Sequence, residues 1–425
     1  MTTQFHGYQK VTLMCFVAFY TIMAIGVYAI LLPSAVVRLG GSYAAVGGAA
    51  TLETFLVLVG GIFAGRFYAK AGFRITYLIG VLCTVAFLLT YGFATNLAIV
   101  YTVEVFVGFF LGIAAFNGVS AFVSTWFIAR RDRVLGLALG ITGAGTVVGS
   151  ILAVYLTQFI GESGAVLILV ALSIPPLIAL PFLKTPAQLS EQPLGAELAE
   201  EKEEVETVRS AGVDKATVRR ALLSLPFVLM CLGSLLLGTM QFTVIYIALS
   251  MLDRGIPPLV AGNLVTVALA STAIASVLLG LIAQKGGTIW YGAVGFGAAL
   301  LGSVLMITSG TNTGLAIAAS ALIGAGAGFA LTYAATLVTH VFHLGVYTTV
   351  MPIIAGGAFV GYGISAILLP GLAEATGSWF TSQVIVLIGI AVSAVATFTA
   401  LSVSRARNRA TISGIRAESP ATAEA

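Results

Sequence analysis

The sequence predicts an all-α polytopic membrane protein, with twelve transmembrane helices arranged as two six-helix halves. Three observations carry that expectation. Of the 425 residues, 59% are hydrophobic and only 8% are charged, with a mean hydropathy of +1.06, whereas soluble chains carry roughly 25% charged residues. The apolar residues fall into runs of about 20 or more, the length that crosses a bilayer. A short motif also recurs at a fixed distance in the two parts of the chain, the mark of an internally repeated fold. The same composition excludes an ordinary water-soluble enzyme, whose surface needs charge. It excludes a disordered chain as well, which combines high charge with low hydrophobicity.

The runs, spans 1 to 12 in chain order, lie near 11–33, 43–69, 75–95, 97–128, 134–160, 164–183, 225–251, 258–284, 288–309, 313–341, 346–370 and 379–404. Most are joined by very short connections. Span 1 is long enough to cross, and span 2 follows at once, so it reads as a span and not as a cleaved signal. Barrel strands are excluded because they alternate over about 10 residues. The one long connection divides the chain into an N-terminal half (1–183), a linker (184–222), a C-terminal half (223–404) and a tail (405–425). The linker carries an acidic stretch from Glu197 to Glu206 and the pair Arg219-Arg220. It reads as a solvated cytoplasmic link.

Orientation follows from Lys and Arg. With the N-terminus inside, Lys10, Arg66, Lys70, Arg74, Arg130, Arg131, Arg133, Lys285, the linker basics and the tail arginines all fall on the inner side. Of the 20 Lys and Arg residues, only Arg38 and Arg254 fall outside. Both termini are therefore expected in the cytoplasm, and the protein in a plasma or inner membrane.

Gly65-Arg-Phe-Tyr-Ala-Lys-Ala-Gly72 and Gly280-Leu-Ile-Ala-Gln-Lys-Gly-Gly287 share the pattern G-x-x-x-x-K-x-G. Each closes an even-numbered span and opens a basic loop. The offset between the two copies is the same as that between Phe127 and Phe342, which follow spans 4 and 10. Through Gly65, Lys70, Gly72 and Arg74 the first copy resembles the loop signature of the major facilitator superfamily. Ala69, and Gln284 in the second copy, stand where that family carries an acid. The segment from Trp126-Phe127 through Arg130, Arg131, Arg133, Gly136 and Gly140 to Gly143, Gly145 and Gly149 is similar to the oxalate/formate antiporter and monocarboxylate transporter group. So is Gly7-Tyr8 ahead of span 1. The resemblance implies a carrier that works by alternating access around a central site. It also brings a departure: Ser276 stands near the position where oxalate exchangers of the group hold an arginine, and span 11 has no basic residue. A dicarboxylate exchanger is therefore not expected.

A buried charge in a bilayer is costly, which makes each one a functional candidate. Two acids sit well inside spans: Glu53, near the middle of span 2, and Glu104, about eight residues into span 4. No Lys or Arg shares the membrane core with them. In such surroundings a carboxyl is least costly when it carries a proton, and one that gains and loses it can couple proton flow to transport. The competing reading is a permanently protonated acid at a helix contact. It is strongest for Glu104, which shares a helix face with Gly108 and Gly112.

Tyr28, Asn117, Gln241, Tyr246, Ser276, Tyr333 and Tyr362 are the polar residues expected at a central cavity; for each, simple packing is the alternative. Gly108, Gly112, Gly140, Gly143, Gly145, Gly149, Gly356, Gly357 and Gly361 are expected to let helices pack closely or slide during rocking. The expected activity is secondary active transport of a small organic solute, with a monocarboxylate favoured by resemblance and proton coupling as the energy source. The alternative is an exporter of neutral or cationic drugs or metabolites, favoured by the acid-only core. Three histidines and the scattered Cys15, Cys83 and Cys231 form no catalytic or metal-ligating pattern. No enzyme activity, cofactor or metal is therefore expected. The expected partners are the solute, protons and the lipid bilayer, with no nucleic acid, and the protein is expected to be a monomer.

Overall fold

The computed structural model describes residues 2–40, 42–114, 116–127, 131–192, 194, 215–342 and 344–417. Among these the chain is helical apart from turns, a short 3-10 segment and one isolated bridge between Phe127 and Leu194. Of the described helices, nine are long and apolar enough to cross a membrane, or ten counting Leu225–Gln241 with Thr243–Asp253, which meet at a bend of 42°.

Some of these helices are double. Tyr43–Phe93 has 51 residues, which as one rod would run about 77 Å, more than twice the ~30 Å hydrocarbon core. It breaks at Gly72, where φ is 74° and ψ is 167°, a conformation open essentially only to glycine. Arg38 shows that the element folds back there. It stands just before Tyr43, yet its guanidinium donates to the carbonyls of Tyr91 and Ala94 at the opposite terminus. Both ends of the element therefore meet, and it holds spans 2 and 3.

The same logic divides two more elements. Arg131–Ala171 breaks at Gly161 (φ 76°, ψ 170°). Trp126, shortly before it, donates from its indole to the carbonyl of Lys184, beyond its far terminus. Spans 5 and 6 are thus antiparallel, with Ile174–Ala179 and the 3-10 turn Leu180–Phe182 completing span 6. Pro258–Thr308 breaks at Gly287 (φ 78°, ψ 171°). Arg254, before it, reaches the Met306 carbonyl near its end, so spans 8 and 9 are a pair. Thr2–Arg38 is span 1, Leu97–Ala114 with Phe116–Trp126 span 4, and Leu225–Asp253 span 7. Thr313–Val341, Leu344–Thr376 and Trp379–Ala417 are spans 10, 11 and 12. Twelve crossings result among the described residues. Gly72 and Gly287, the last glycines of the two motif copies, have nearly the same backbone angles.

The repeat continues through the packing. A Cβ on Gly145 or Gly149 of span 5 would strike the carbonyls of Phe19 and Met23 on span 1 at 2.3 Å. Gly357 and Gly361 of span 11 follow these two at one common offset, and there a Cβ on Gly361 would strike the Leu235 carbonyl on span 7 at 1.8 Å while one on Gly357 would lie 3.3 Å from the Cys231 carbonyl. Gly108 and Gly112 of span 4 press on Glu53 and Val57 of span 2, while Gly324 and Gly328 of span 10 press on Ala268 and Thr272 of span 8. Glycine lets backbones meet this closely, and in lipid such packing holds helices together.

The turn at Gly72 lies at what is here called the basic end, with Arg66, Lys70 and Arg74. Arg74 donates to the Leu183 carbonyl at 2.7 Å. The start of the linker closes over this end, with Leu194 N–H on the Trp126 carbonyl at 2.9 Å and His6 paired to Glu191 at 2.8 Å. Linker residues 195–214, including the acidic stretch, lie outside the described residues, as do Arg130 and 418–425. Arg131, Arg133, Gly280 and Lys285 lie on helical backbone; their side-chain surroundings are outside the described set.

Candidate functional site

Two features stand out as functional: the contact between the halves, and an acid pair inside the N-terminal half. The contact is made at the end opposite the basic one, here the far end. Gly47 of span 2 lies against span 11, where a Cβ would come within 1.9 Å of the Ala366 carbonyl oxygen. Thr51 donates to the Gly363 carbonyl at 2.6 Å, and the Ala44 amide meets Glu374 at 3.4 Å. On the other flank, Gly262 of span 8 packs on Val154 of span 5, and the Thr266 hydroxyl donates to Ser150 at 3.1 Å. Following the same helix face of span 5 toward the basic end leads from Ser150 to Gly143, Gly140 and Gly136. Among the described residues, none of these three has a neighbour within 4 Å of a Cβ position. Gly65 on span 2 and Gly356 on span 11 are equally open. Among the described residues, the halves therefore touch at the far end and stand apart at the basic end.

This geometry sorts the glycines. Gly108, Gly112, Gly145, Gly149, Gly357 and Gly361 hold helices together inside a half. Gly140, Gly143 and Gly356 lie in open space.

The acid pair is built from spans 2, 3 and 4. Glu104 is 1% exposed. The Tyr91 hydroxyl donates to its Oε1 at 2.6 Å, and among the described residues its Oε2 has no hydrogen-bond partner. Tyr28 of span 1 sets its ring edge-on to Tyr91 at 4.9 Å between centroids, and its buried hydroxyl is likewise unpartnered. The backbone of Glu53 packs directly on Gly108, one turn beyond Glu104 on span 4. Glu53 and Glu104 are close enough to repel one another electrostatically, and Tyr28 and Tyr362 lie within the field of both. Neither acid is ion-paired among the described residues, where the ion pairs are His6–Glu191 and Arg38–Glu162. Glu53 is only part-buried. It lines a small cavity of about 20 Å³ with Thr21, Cys83, Thr84 and Phe87 on spans 1 and 3, room for about one water molecule. Glu53 thus meets a water-sized cavity while Glu104 is enclosed. That asymmetry suits one carboxyl that exchanges protons with the cavity and a second that receives them.

The repeat places Ala268 opposite Glu53, Met306 opposite Tyr91 and Ser320 opposite Glu104. The scaffold is duplicated, but the acid chemistry is present once.

The other expected cavity residues are spread out. Tyr246 is buried and donates to the Ala366 carbonyl at 2.7 Å, tying span 7 to span 11. Tyr333 shares a hydrogen bond of 2.6 Å with Thr397 and lies inside the C-terminal half, near Met230. The Asn117 amide donates to the Gly112 carbonyl of its own span at 2.8 Å. Ser276 donates to the Ala273 carbonyl of its own helix, facing Gly328. Gln241 is half-buried at the bend of span 7. Tyr28 and Tyr362 are the two that the structure brings to the acids. Tyr91 is missing from the sequence expectations, since a tyrosine in an apolar run reads as packing.

The sequence profile described as Major Facilitator Superfamily matches residues 14–366. Comparison with curated proteins finds no match.

Proposed function

The chain belongs to the Major Facilitator Superfamily, and as a multi-pass membrane transporter of that superfamily, we propose, it carries a small organic solute by alternating access with proton coupling through Glu53 and Glu104. The observation that carries this reading is the acid pair. Among the described residues, the two carboxyls inside the bundle have no cationic partner and one oxygen of Glu104 makes no hydrogen bond, while Glu53 lines a water-sized cavity. Permanently charged acids in such a place would be very costly, whereas acids that exchange protons can use the transmembrane proton gradient.

Alternating access is supported by the contact pattern, with the halves closed at the far end and open at the basic end. By the positive-inside rule the basic end is cytoplasmic, so this is the inward-facing state and both termini are inside. The units that rock are 1–183 and 223–404, joined by the 184–222 linker. A single chain contains both, and the protein acts as a monomer in the plasma or inner membrane. The solute placed first is a small monocarboxylate that travels with its proton. The second reading, export of a neutral or cationic compound, draws on the absence of any basic side chain beside Glu53 and Glu104. No step of either calls for an enzyme activity, a metal or a cofactor.

The test is uptake into proteoliposomes over a panel of monocarboxylates, amines and neutral solutes, with and without a pH gradient. Saturable, gradient-driven flux of one class, with the gradient dependence lost in Glu53→Gln, supports the proposal. Flux that ignores the gradient in the wild-type protein sinks proton coupling, and flux that never saturates sinks the carrier reading.

A further inference from the structure

Arg38 and Arg254, the two basic residues that stand apart from all the others, are built into the fold in the same way. The Arg38 guanidinium donates through Nη2 to the Tyr91 carbonyl and through Nε to the Ala94 carbonyl at 3.1 Å, and its Nη1 meets Glu162 at 2.8 Å. The Arg254 guanidinium donates through Nη1 to the Met306 carbonyl at 2.8 Å and to the Ser309 hydroxyl at 3.1 Å, and through Nη2 to Gln383 at 2.7 Å. Tyr91 and Met306 are separated by the same offset as the two motif copies, and so are Ala94 and Ser309. Each arginine therefore leaves the first helix of a half, caps the C-terminal end of the third and reaches the start of the sixth. The last carbonyls of a helix lack internal partners and favour a cation. A planar guanidinium with several fixed donors can satisfy two of them and still hold a third group.

What stands behind the two clamps differs. The carbonyl held by Arg38 belongs to Tyr91, whose hydroxyl holds Glu104. The carbonyl held by Arg254 belongs to Met306, and Ser320 stands where Glu104 would be. We propose that Arg38 is a positioning residue for proton exchange at Glu104. It pins the backbone of Tyr91, so that the Tyr91 hydroxyl stays on Oε1 and Oε2 is left to take and release the proton. In that step one O–H bond forms at Oε2 on uptake and breaks on release, with no other bond changed. Arg254 is the matching clamp with no titrating group behind it. Around Glu104, Tyr91 from span 3 donates to it, Tyr28 from span 1 packs edge-on to Tyr91, the Glu53 backbone of span 2 meets Gly108 one turn on, and Tyr362 from span 11 is the further titratable group in its electrostatic surroundings. Arg38 touches none of their side chains among the described contacts, so its influence passes through the Tyr91 backbone. The inference rests on the proton-coupled reading above.

The pair supplies its own control. pH-difference infrared spectra of purified full-length protein follow the protonated-carboxyl band, with the Glu104 component assigned by its loss in Glu104→Gln. This readout needs no known solute. Removing the Tyr91 donor in Tyr91→Phe is expected to displace the Glu104 midpoint by about one pH unit, the scale of a lost hydrogen bond to an ionised group. Arg38→Gln is expected to displace it in the same direction. Arg254→Gln leaves it in place while lowering thermal stability by a similar amount. Glu162→Gln, which copies the Arg254–Gln383 arrangement, leaves the midpoint within a few tenths of a unit. Should Arg38→Gln not fold, Arg38→Lys keeps the charge but not the three-way grip, and it is expected to show a displacement of the same sign. Equal displacements in the Arg38 and Arg254 variants, or none in Arg38 variants while Tyr91→Phe moves, would overturn the positioning role alone. A Glu104 band that never titrates would overturn the coupling reading together with it.

Discussion

Gly47→Ala tests whether the far-end contact is a gate. The added methyl would lie 1.9 Å from the Ala366 carbonyl oxygen, where ordinary contact begins near 3.4 Å. The obstacle is backbone, so no side-chain rotation relieves it, and spans 2 and 11 must move apart. Overpacking of this kind costs about 1–3 kcal/mol. The cost falls on the state closed at the far end and spares the state in which the halves part there. At about 1.4 kcal/mol per tenfold, the balance shifts toward the far-end-open state by roughly 5- to 150-fold. The reporter is Gly140→Cys, in open space on the gap face of span 5, with Cys15, Cys83 and Cys231 replaced by Ser. Its labelling by a membrane-impermeant maleimide from the basic end is expected to fall in Gly47→Ala, by at most the factor of that shift. Gly361→Ala is the control. Its methyl would lie 1.8 Å from the Leu235 carbonyl, but both belong to the C-terminal half. It should lower stability without redistributing the label. Unchanged labelling in Gly47→Ala, or the same drop in both variants, would refute the gate.

Other outcomes follow from the same geometry. Gly72→Ala and Gly287→Ala place a side chain at φ 74° and 78°; each is expected to cost about 1–3 kcal/mol, seen as a lower Tm in detergent, and the two should be alike because the turns are alike. Tyr333→Phe removes a buried hydroxyl bonded to Thr397 inside the C-terminal half and is expected to destabilise by about 1 kcal/mol, with the solute KM in the uptake assay unchanged. Thr51→Val deletes the hydrogen bond to Gly363 across the halves and should move the maleimide label in the same direction as Gly47→Ala, by a smaller factor.

Much of the fold was legible because lipid imposes a simple rule: every crossing needs an apolar run of sufficient length. The repeat was legible because Gly72 and Gly287 occupy a backbone conformation that other residues cannot, so the spacing of the motif records a turn. Glu53 and Glu104 were legible as isolated acids in apolar sequence. The orientation of side chains was not. Tyr246 and Tyr333 carry the same hydroxyl as Tyr28, but helix rotation turns them to the Ala366 carbonyl and to Thr397, and no single-sequence pattern fixes that rotation. Asn117 reads as a cavity group, yet its amide goes back to the Gly112 carbonyl of its own span. Tyr91 could not be told from packing aromatics without knowing that spans 3 and 4 bring it to Glu104. Arg38 and Arg254 did carry a signal, being the two basic residues on the wrong side of the charge count and nearly at the repeat spacing from one another. Charge counting uses such residues only as exceptions, and their shared role appears once the helix ends are placed.

The central claim is that solute movement and proton movement are one event at the acid pair. Its most direct measurement is the simultaneous recording of solute uptake and internal pH in proteoliposomes reconstituted with wild-type, Glu53→Gln or Glu104→Gln protein. A fixed ratio of protons to solute is expected in the wild-type protein, with loss of solute-dependent proton flux in the Glu53 variant. Solute-linked proton flux that persists at the wild-type ratio in both variants would contradict it.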